Sequence, residues 1–196
     1  MVTSSSALTL TLPSDREILM TRTFDAPRRL VWEAWTKPEH VAQWWGPRGW
    51  TLPVCDIDLR PGSHYRWVMR GPDGKDHPMS GEYREVVPPE RLVYTRRNSS
   101  IEAAISSSVA STGSDRFDEP GRAPMESVIT MTLEERDGKT TLTSRAVYES
   151  AQIRDAILKI GVKEGTAQTF DRLAEHLEAM AKKPVSKDLL ITRVFD

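Results

Sequence analysis

The 196-residue chain has little cysteine, little histidine and no long apolar run. Its single cysteine, Cys55, excludes an internal disulfide and a cysteine-cluster metal site, and it is typical of proteins in a reducing compartment. No apolar run approaches the roughly 18 residues of a membrane-spanning helix, and residues 1–12 lack the pattern of a signal peptide. We therefore expect a cytoplasmic globular protein with no membrane partner.

Basic clusters and catalytic motifs are scarce as well. No basic block is larger than a pair such as Arg96-Arg97 or Lys182-Lys183 in a chain of formal net charge −1, so we expect no nucleic-acid partner. The four histidines lack the spacing of zinc ligands, and there is no phosphate-binding loop and no Gly-x-Ser-x-Gly motif. The sequence therefore predicts no metal and no cofactor, and it identifies no catalytic residue.

What the sequence does contain is the pattern of an α+β domain. Alternating apolar residues predict a strand over 16–24, two short helices follow, and six more strands joined by short turns occupy about 50–147. Sequential strands with short connections pair with their neighbours, so we expect a curved antiparallel sheet of about seven strands. A stripe of isoleucines at 153, 157 and 160 begins one long helix over about 151–181, which could cross the whole sheet.

Composition divides the chain into three parts. Residues 1–15 are expected to form a disordered arm, and residues 16–183 to form the domain. Inside the domain, residues 98–124 interrupt the strand pattern with repeated Ser, Gly and Pro. We interpret this insertion as flexible, with a lid over a pocket as the alternative.

The last part, residues 184–196, resembles a second beginning of the domain. Lys187–Asp196 repeats the pattern of Arg16–Asp25, with five of ten positions identical. We interpret the segment as a linker and the first strand of a second copy of the domain. Because a strand without its own sheet is an adhesive edge, a homodimer formed through Lys187–Asp196 is a hypothesis that follows.

Several motifs occur in the order found in one known family. They are Phe24-Asp25-Ala26-Pro27, Trp44-Trp45-Gly46-Pro47, Asp58-Leu59-Arg60-Pro61-Gly62, Pro89-Glu90-Arg91-Leu92 and the stretch Arg172 to Leu177. Over about residues 16–180 the chain resembles the activator-of-heat-shock-protein-90-ATPase-like branch of the START-like, or SRPBCC, superfamily. The resemblance implies a helix-grip fold, in which a curved sheet wraps around a long C-terminal helix and leaves a cavity for a small molecule.

The chain also departs from that family. The family often has tryptophan after the glycine of the last helix, where this chain has Thr166 after Gly165. The resemblance therefore implies a larger or wetter groove beside Gly165. Relatives in the wider superfamily bind lipids, hormones or polyketides, and some cyclise polyketides, so the resemblance implies a pocket and little specific chemistry.

Candidate pocket residues come from the bulky face of the sheet and from the helix that crosses it. Tyr65, Trp67 and Met69 share one face of the strand 64–70. Gly161 and Gly165 lie one turn apart and indicate either a hollow or close helix–sheet packing. The further candidates are Trp45, Tyr83, Tyr94, Met131, Arg145, Ile157, Glu164 and Gln168.

Each candidate has a plainer alternative. A filled core explains the aromatic residues, and an exposed helix face explains Glu164 and Gln168. Trp44-Trp45 is interpreted as a wedge between helices, with an aromatic rim at the pocket mouth as the alternative. Arg145, if it faced inward, would need a carboxylate such as Glu164, and a solvated Arg145 is the simpler interpretation.

Three functions stay open from the sequence. The first is binding of a small, mostly apolar ligand between the sheet and the C-terminal helix. The second is a cyclase- or hydrolase-like enzyme that uses the same pocket, with a tyrosine, a histidine or Arg145 polarising a carbonyl group. The third is a protein-interaction module similar to the co-chaperone, which predicts a filled interior and a flat exposed patch.

Overall fold

The computed structural model describes residues 6–98 and 125–182. Its strands are β1 (Thr9–Thr11), β2 (Glu17–Phe24), β3 (Thr51–Ile57), β4 (His64–Arg70), β5 (Asp76–Val87), β6 (Arg91–Asn98), β7 (Glu126–Arg136) and β8 (Lys139–Val147). Its helices are α1 (Arg28–Thr36), α2 (Pro38–Trp44), α3 (Ala151–Lys159) and α4 (Val162–Lys182). The strands form one antiparallel sheet in the order β1-β2-β8-β7-β6-β5-β4-β3. The predicted α+β helix-grip architecture is therefore confirmed.

The predicted disordered arm, residues 1–15, contains a strand among its described residues. β1 pairs antiparallel with β2, with Leu10 opposite Met20, and the Thr23 amide donates a hydrogen bond to Ser6 Oγ at 2.9 Å. The sheet thus has eight strands among the described residues. β1 has only three residues, too few to show apolar alternation in the sequence. Backbone hydrogen bonds to β2 hold it in the sheet.

The predicted long helix is two helices. Ile160, which the sequence places in the apolar stripe, lies at their junction and is 49% exposed. α3 ends at Lys159 and α4 begins at Val162. Between them Gly161 has a φ of +80°, a left-handed conformation that glycine adopts without steric cost. The stripe of the sequence crosses this break, since Ile153 and Ile157 in α3 are buried, as are Phe170, Leu173 and Leu177 in α4.

Most of the inward sheet face forms a packed core. Its central side chains are at most 4% exposed, and they are Phe24, Tyr65, Tyr83, Leu92, Met131, Leu133 and Leu142. α1 lies against β7 and β8, and the Phe24 and Phe170 ring centroids lie 5.8 Å apart where β2 meets α4. We call these seven residues the packed core below.

Arg22 attaches α4 to the sheet from a position where the alternating pattern places an apolar residue. It lies on the inward face of β2, is 6% exposed, and donates hydrogen bonds to Asp171 Oδ1 at 2.7 Å and to the Ala167 carbonyl at 3.3 Å. Burial of this charge is compensated by its ion pair. No local sequence pattern indicates this pair of a buried Arg22 and a half-exposed Asp171.

Three other predictions concern a membrane-spanning helix, the insertion 98–124 and the repeated segment 184–196. No helix within the described ranges is long and apolar enough to cross a membrane. The insertion 98–124 lies outside the described residues except for Asn98, which ends β6. The repeated segment 184–196 also lies outside them, so its role as a second first strand stays a prediction.

Candidate ligand cavity

A cavity of about 440 Å³ lies between the sheet and the junction of α3 and α4. Inward-facing residues of six strands form its floor, among them Ile18, Met69, Met79, Tyr94, Ile129 and Ala146. The loop after α2 and the α3–α4 junction form its opposite wall, among them Trp45, Pro47, Trp50, Ile160, Val162 and Thr166. Its volume is within the roughly 300–1,000 Å³ of small-molecule sites, and its walls are mostly apolar.

The cavity is open where the helices above it present little side chain. Gly161 and Gly165 both line it. A Cβ atom added at Gly165 would meet Pro47 Cγ at 3.9 Å and nothing nearer, and one added at Gly161 would meet only Glu164 Oε2 at 3.6 Å. Of the two interpretations of these glycines, the structure therefore supports a hollow between helix and sheet and not close helix–sheet packing.

A single arginine of α4 holds the loop that forms the cavity wall. The Arg172 guanidinium donates hydrogen bonds to the carbonyl oxygens of Gly46 at 2.9 Å and Trp50 at 3.2 Å in this loop, and to that of Gln43 in the last turn of α2 at 3.0 Å. Burial, together with the nearby charge of Arg48, lowers the pKa of Arg172. The loop therefore depends on polar ties to α4 in addition to its packing.

Arg96 is the only Arg, Lys, Asp or Glu among the cavity-lining residues that the structure describes. Its side chain is hydrogen-bonded to the Tyr148 hydroxyl group. Burial raises the pKa of Tyr148 and of Tyr94, and the positive charge of Arg96 only partly opposes this effect. Both hydroxyl groups are therefore protonated at neutral pH and available as hydrogen-bond donors.

Five of the thirteen candidate residues line the cavity: Trp45, Met69, Tyr94, Gly161 and Gly165. Tyr83 and Met131 belong to the packed core instead, and Ile157 is buried on α3 without lining the cavity. Tyr65 and Trp67 are also buried without lining the cavity. Their ring centroids lie 4.9 Å apart, and the Tyr65 hydroxyl donates to the Thr95 carbonyl at 2.9 Å. These residues face the interior as predicted, but neighbouring side chains fill the space around them.

The polar candidates lie away from the cavity. Arg145 forms an ion pair with Glu17 of the adjacent strand at 2.5 Å, and its side chain is half exposed, so it does not pair with Glu164. Glu164 and Gln168 are exposed on α4, and Gln168 Oε1 accepts a hydrogen bond from the Arg48 amide at 3.3 Å. For these three residues the plainer interpretation describes the structure.

The tryptophan pair divides between the two interpretations. Trp44 is completely buried and donates from Nε1 to the Ala34 carbonyl at 2.9 Å. Trp44 thus packs α2 against α1, as the interpretation of a wedge between helices predicts. Trp45 is partly buried, lines the cavity, and stacks edge-on against Trp67 at 4.5 Å between ring centroids. Only Trp45 therefore belongs to the candidate site.

Sequence analysis missed the polar residues that the structure brings to the cavity. Arg96 follows Tyr94 by two positions on β6, so strand alternation places both on the same face. Tyr148 comes directly after β8, whose Val147 is opposite Val128, while Arg96 is opposite Ser127. The pairing registers therefore bring Arg96 and Tyr148 together across β7, a contact that no local pattern indicates.

The chemistry available in the cavity is limited. The described residues contain no group of three or more His, Cys, Asp or Glu side chains that could hold a metal ion. Cys55 does not line the cavity, and burial, aided by Asp56, raises the pKa of its thiol to about 12. What the described lining offers is apolar surface, hydroxyl groups, the imidazole of His77, the carboxamide of Asn98 and one guanidinium group.

Comparison with known proteins identifies the class of this fold. The profile of the family described as "Activator of Hsp90 ATPase homolog 1-like protein" matches residues 25–178. The chain therefore belongs to this family, as the sequence motifs predict. A comparison with curated proteins found no match.

Solved structures of bacterial proteins share the fold. Protein NE0264 from Nitrosomonas europaea is 26% identical, with a TM-score of 0.69 over 88% of this chain and 100% of that one. A protein from Staphylococcus epidermidis is 26% identical, with a TM-score of 0.67 over 90% of this chain and 97% of that one. A protein from Rhodobacter sphaeroides is 23% identical, with a TM-score of 0.72 over 89% of this chain and 99% of that one.

Proposed function

We propose that the protein binds a small, mostly apolar molecule in the cavity between the sheet and the α3–α4 junction. The observation that carries this proposal is the cavity of about 440 Å³ under two glycines, in a domain whose core is otherwise packed. Burial of apolar ligand surface contributes about 25 cal/mol per Å², so a molecule that fills such a space gains substantial affinity from its fit alone.

The enzyme hypothesis has less support from the same cavity. A general base or a nucleophile is the usual sign of such chemistry. The described lining has no carboxylate and no cysteine, and its one imidazole is that of His77, whose ring packs against Trp50 at 4.8 Å between centroids. The raised pKa of Tyr94 and Tyr148 makes these groups donors rather than bases. Binding is the function that these groups support best.

The protein-interaction hypothesis predicts a filled interior and a flat exposed apolar patch. The interior contains the cavity instead. The large apolar side chains exposed among the described residues are Leu12, Val87 and Ile160, which come from three different elements or junctions. Single exposed apolar residues are ordinary on protein surfaces. A homodimer through Lys187–Asp196 stays a separate prediction, which sedimentation of a chain ending at Lys183 would test.

Native mass spectrometry of the purified full-length chain tests the proposed function. We expect a mass adduct that denaturation and solvent extraction release as a small apolar compound. The matched control is Thr166→Trp, in which a large side chain is placed on a cavity-lining position, and we expect the adduct to disappear. An adduct that persists in Thr166→Trp, or an empty protein without thermal shift against apolar compounds, would contradict ligand binding in this cavity.

A further inference from the structure

We infer that the ligand of the cavity is an anion, with an apolar body and one carboxylate or similar negative group that binds to Arg96 and Tyr148. This inference rests on the proposed function and names the chemical class of its ligand. It is carried by one juxtaposition: a guanidinium group with no carboxylate partner among the described residues lines a mostly apolar cavity.

The charge of Arg96 lacks compensation in the part of the chain that the structure describes. Its electrostatic neighbours there are the tyrosines Tyr65, Tyr94 and Tyr148, and none is a carboxylate. Glu126, on the neighbouring strand β7, pairs with Arg84 and Arg97. Arg96 is partly buried. A charge partly withdrawn from water without a counter-ion is costly, and an anionic ligand would reduce that cost.

The geometry around Arg96 suits a carboxylate. A guanidinium group presents five N–H donors in a planar fork that matches carboxylate oxygens. The Tyr148 oxygen accepts from Arg96, so its own O–H proton is free to point to a ligand. Arg96 and Tyr148 come from β6 and from the end of β8, with β7 between them, so a rigid sheet positions both donors.

The apolar walls provide for the rest of such a ligand. Ile18 and Ile129 from the sheet and Phe170 from α4 line the same cavity as Arg96. An apolar molecule with one negative end would place its body against these side chains and its carboxylate at Arg96. A cationic molecule of the same shape would place like charges together in a low-dielectric cavity, which is strongly unfavourable.

Three probes of nearly equal size and different charge test the inference: 2-naphthylacetate, 2-naphthylacetamide and 2-(2-naphthyl)ethylamine. Isothermal titration calorimetry near neutral pH measures their affinity for the full-length protein. We expect 2-naphthylacetate to bind roughly tenfold or more tightly than the neutral amide, because hydrogen bonds between charged partners are the stronger class. We expect the amine to bind most weakly.

Two variants assign that preference to Arg96. Arg96→Met keeps the length of the side chain and removes its charge, so the acetate should lose its advantage while the amide still binds. Arg97→Met is the matched control, because Arg97 is on the same strand, half exposed and paired with Glu126, and the preference should be unchanged. Arg96→Lys should keep a preference for the anion.

The outcomes separate the two claims. If the amide binds as tightly as the acetate to the unmodified protein, the anion inference is wrong and ligand binding stands. The inference is also wrong if Arg96→Met, folded by circular dichroism, keeps the full preference. If none of the three probes binds, the proposed function fails together with the inference.

Discussion

The inward face of the sheet has two regions that differ in what lies above them. In the packed core, side chains such as Phe24 and Met131 are at most 1% exposed. Around the cavity, strand residues of the same kind, such as Ile18 and Met69, line about 440 Å³ of space, although Ile18 is as little exposed to solvent as Phe24. Both regions are built from strands with the same apolar alternation.

The difference therefore comes from the opposing helices rather than from the strands. α1 and α4 provide large side chains over the packed core, including Phe170 against Phe24. Over the cavity, α3 stops, Gly161 turns the chain, and Gly165 has no side chain to insert. The hollow exists because the opposing helices place little side chain above it. The predictions below test this difference between the packed core and the cavity.

The largest effect is expected at a glycine outside the cavity. A Cβ atom at Gly81 would lie 1.8 Å from the Thr95 carbonyl oxygen and 2.8 Å from Tyr65 Cε1. Gly81→Ala should therefore lower the free energy of unfolding by about 3 kcal/mol or more, because backbone must move to relieve the contact. Urea denaturation measures the change, and a loss below about 1 kcal/mol would contradict the tight packing of this region.

Two methionines provide a matched comparison of the regions. Met131 is completely buried in the packed core, whereas Met69 is partly exposed and lines the cavity. Met131→Ala should cost about 3 kcal/mol because it creates a new cavity, and Met69→Ala about 1 kcal/mol because it enlarges an existing one. Equal losses in thermal or urea unfolding would indicate that the cavity is not open in solution.

Removal of Arg172 tests how the cavity wall is held. Arg172→Met leaves several loop carbonyls without their donor and should cost about 2 kcal/mol. Amide hydrogen exchange should increase in the loop over 43–50 more than in the sheet. Arg48→Met is the control, because Arg48 forms an exposed ion pair with Glu175 and should change stability by less than about 1 kcal/mol. Unchanged exchange in the loop would refute the role given to Arg172.

The smallest effects are expected at the two cavity glycines, and they have opposite signs. Gly165 is helical with free space beside it, so Gly165→Ala should stabilise the protein by about 0.5–1 kcal/mol. Gly161 has a φ of +80°, so Gly161→Ala should destabilise it by about 1 kcal/mol. Thermal unfolding of both variants gives the comparison, and a stabilising Gly161→Ala would argue for one unbroken helix.

Most of the fold was accessible from the sequence because local patterns specify it. The strand His64–Arg70 has the bounds that alternation and its flanking turns predict. The stripe through Ile153, Ile157 and Leu173 identified the helical face that covers the sheet. The break at Gly161 was not accessible, because a helical and a left-handed glycine have the same letter and the stripe continues across the break.

The site was less accessible because it depends on three-dimensional pairing. Tyr65, Tyr83 and Tyr94 share the inward face, and only the register of neighbouring strands and the cover above them leaves Tyr94 beside open space. Arg145 interrupts a strand pattern and is a candidate pocket residue in the sequence, but it faces outward. Arg96 belongs to a basic pair and is not a candidate, but it lines the cavity. Strand alternation from Tyr94 places Arg96 on the inward face, but only the sheet registers show that it lies beside the cavity and next to Tyr148.

The most direct test of the central claim is a crystal structure of the full-length protein grown with 2-naphthylacetate. We expect the naphthyl group between the sheet and the α3–α4 junction, with its carboxylate oxygens within hydrogen-bonding distance of Arg96 and Tyr148. A structure in which side chains fill this space, or in which the probe binds only outside it, would contradict the claim that the domain is built around a ligand.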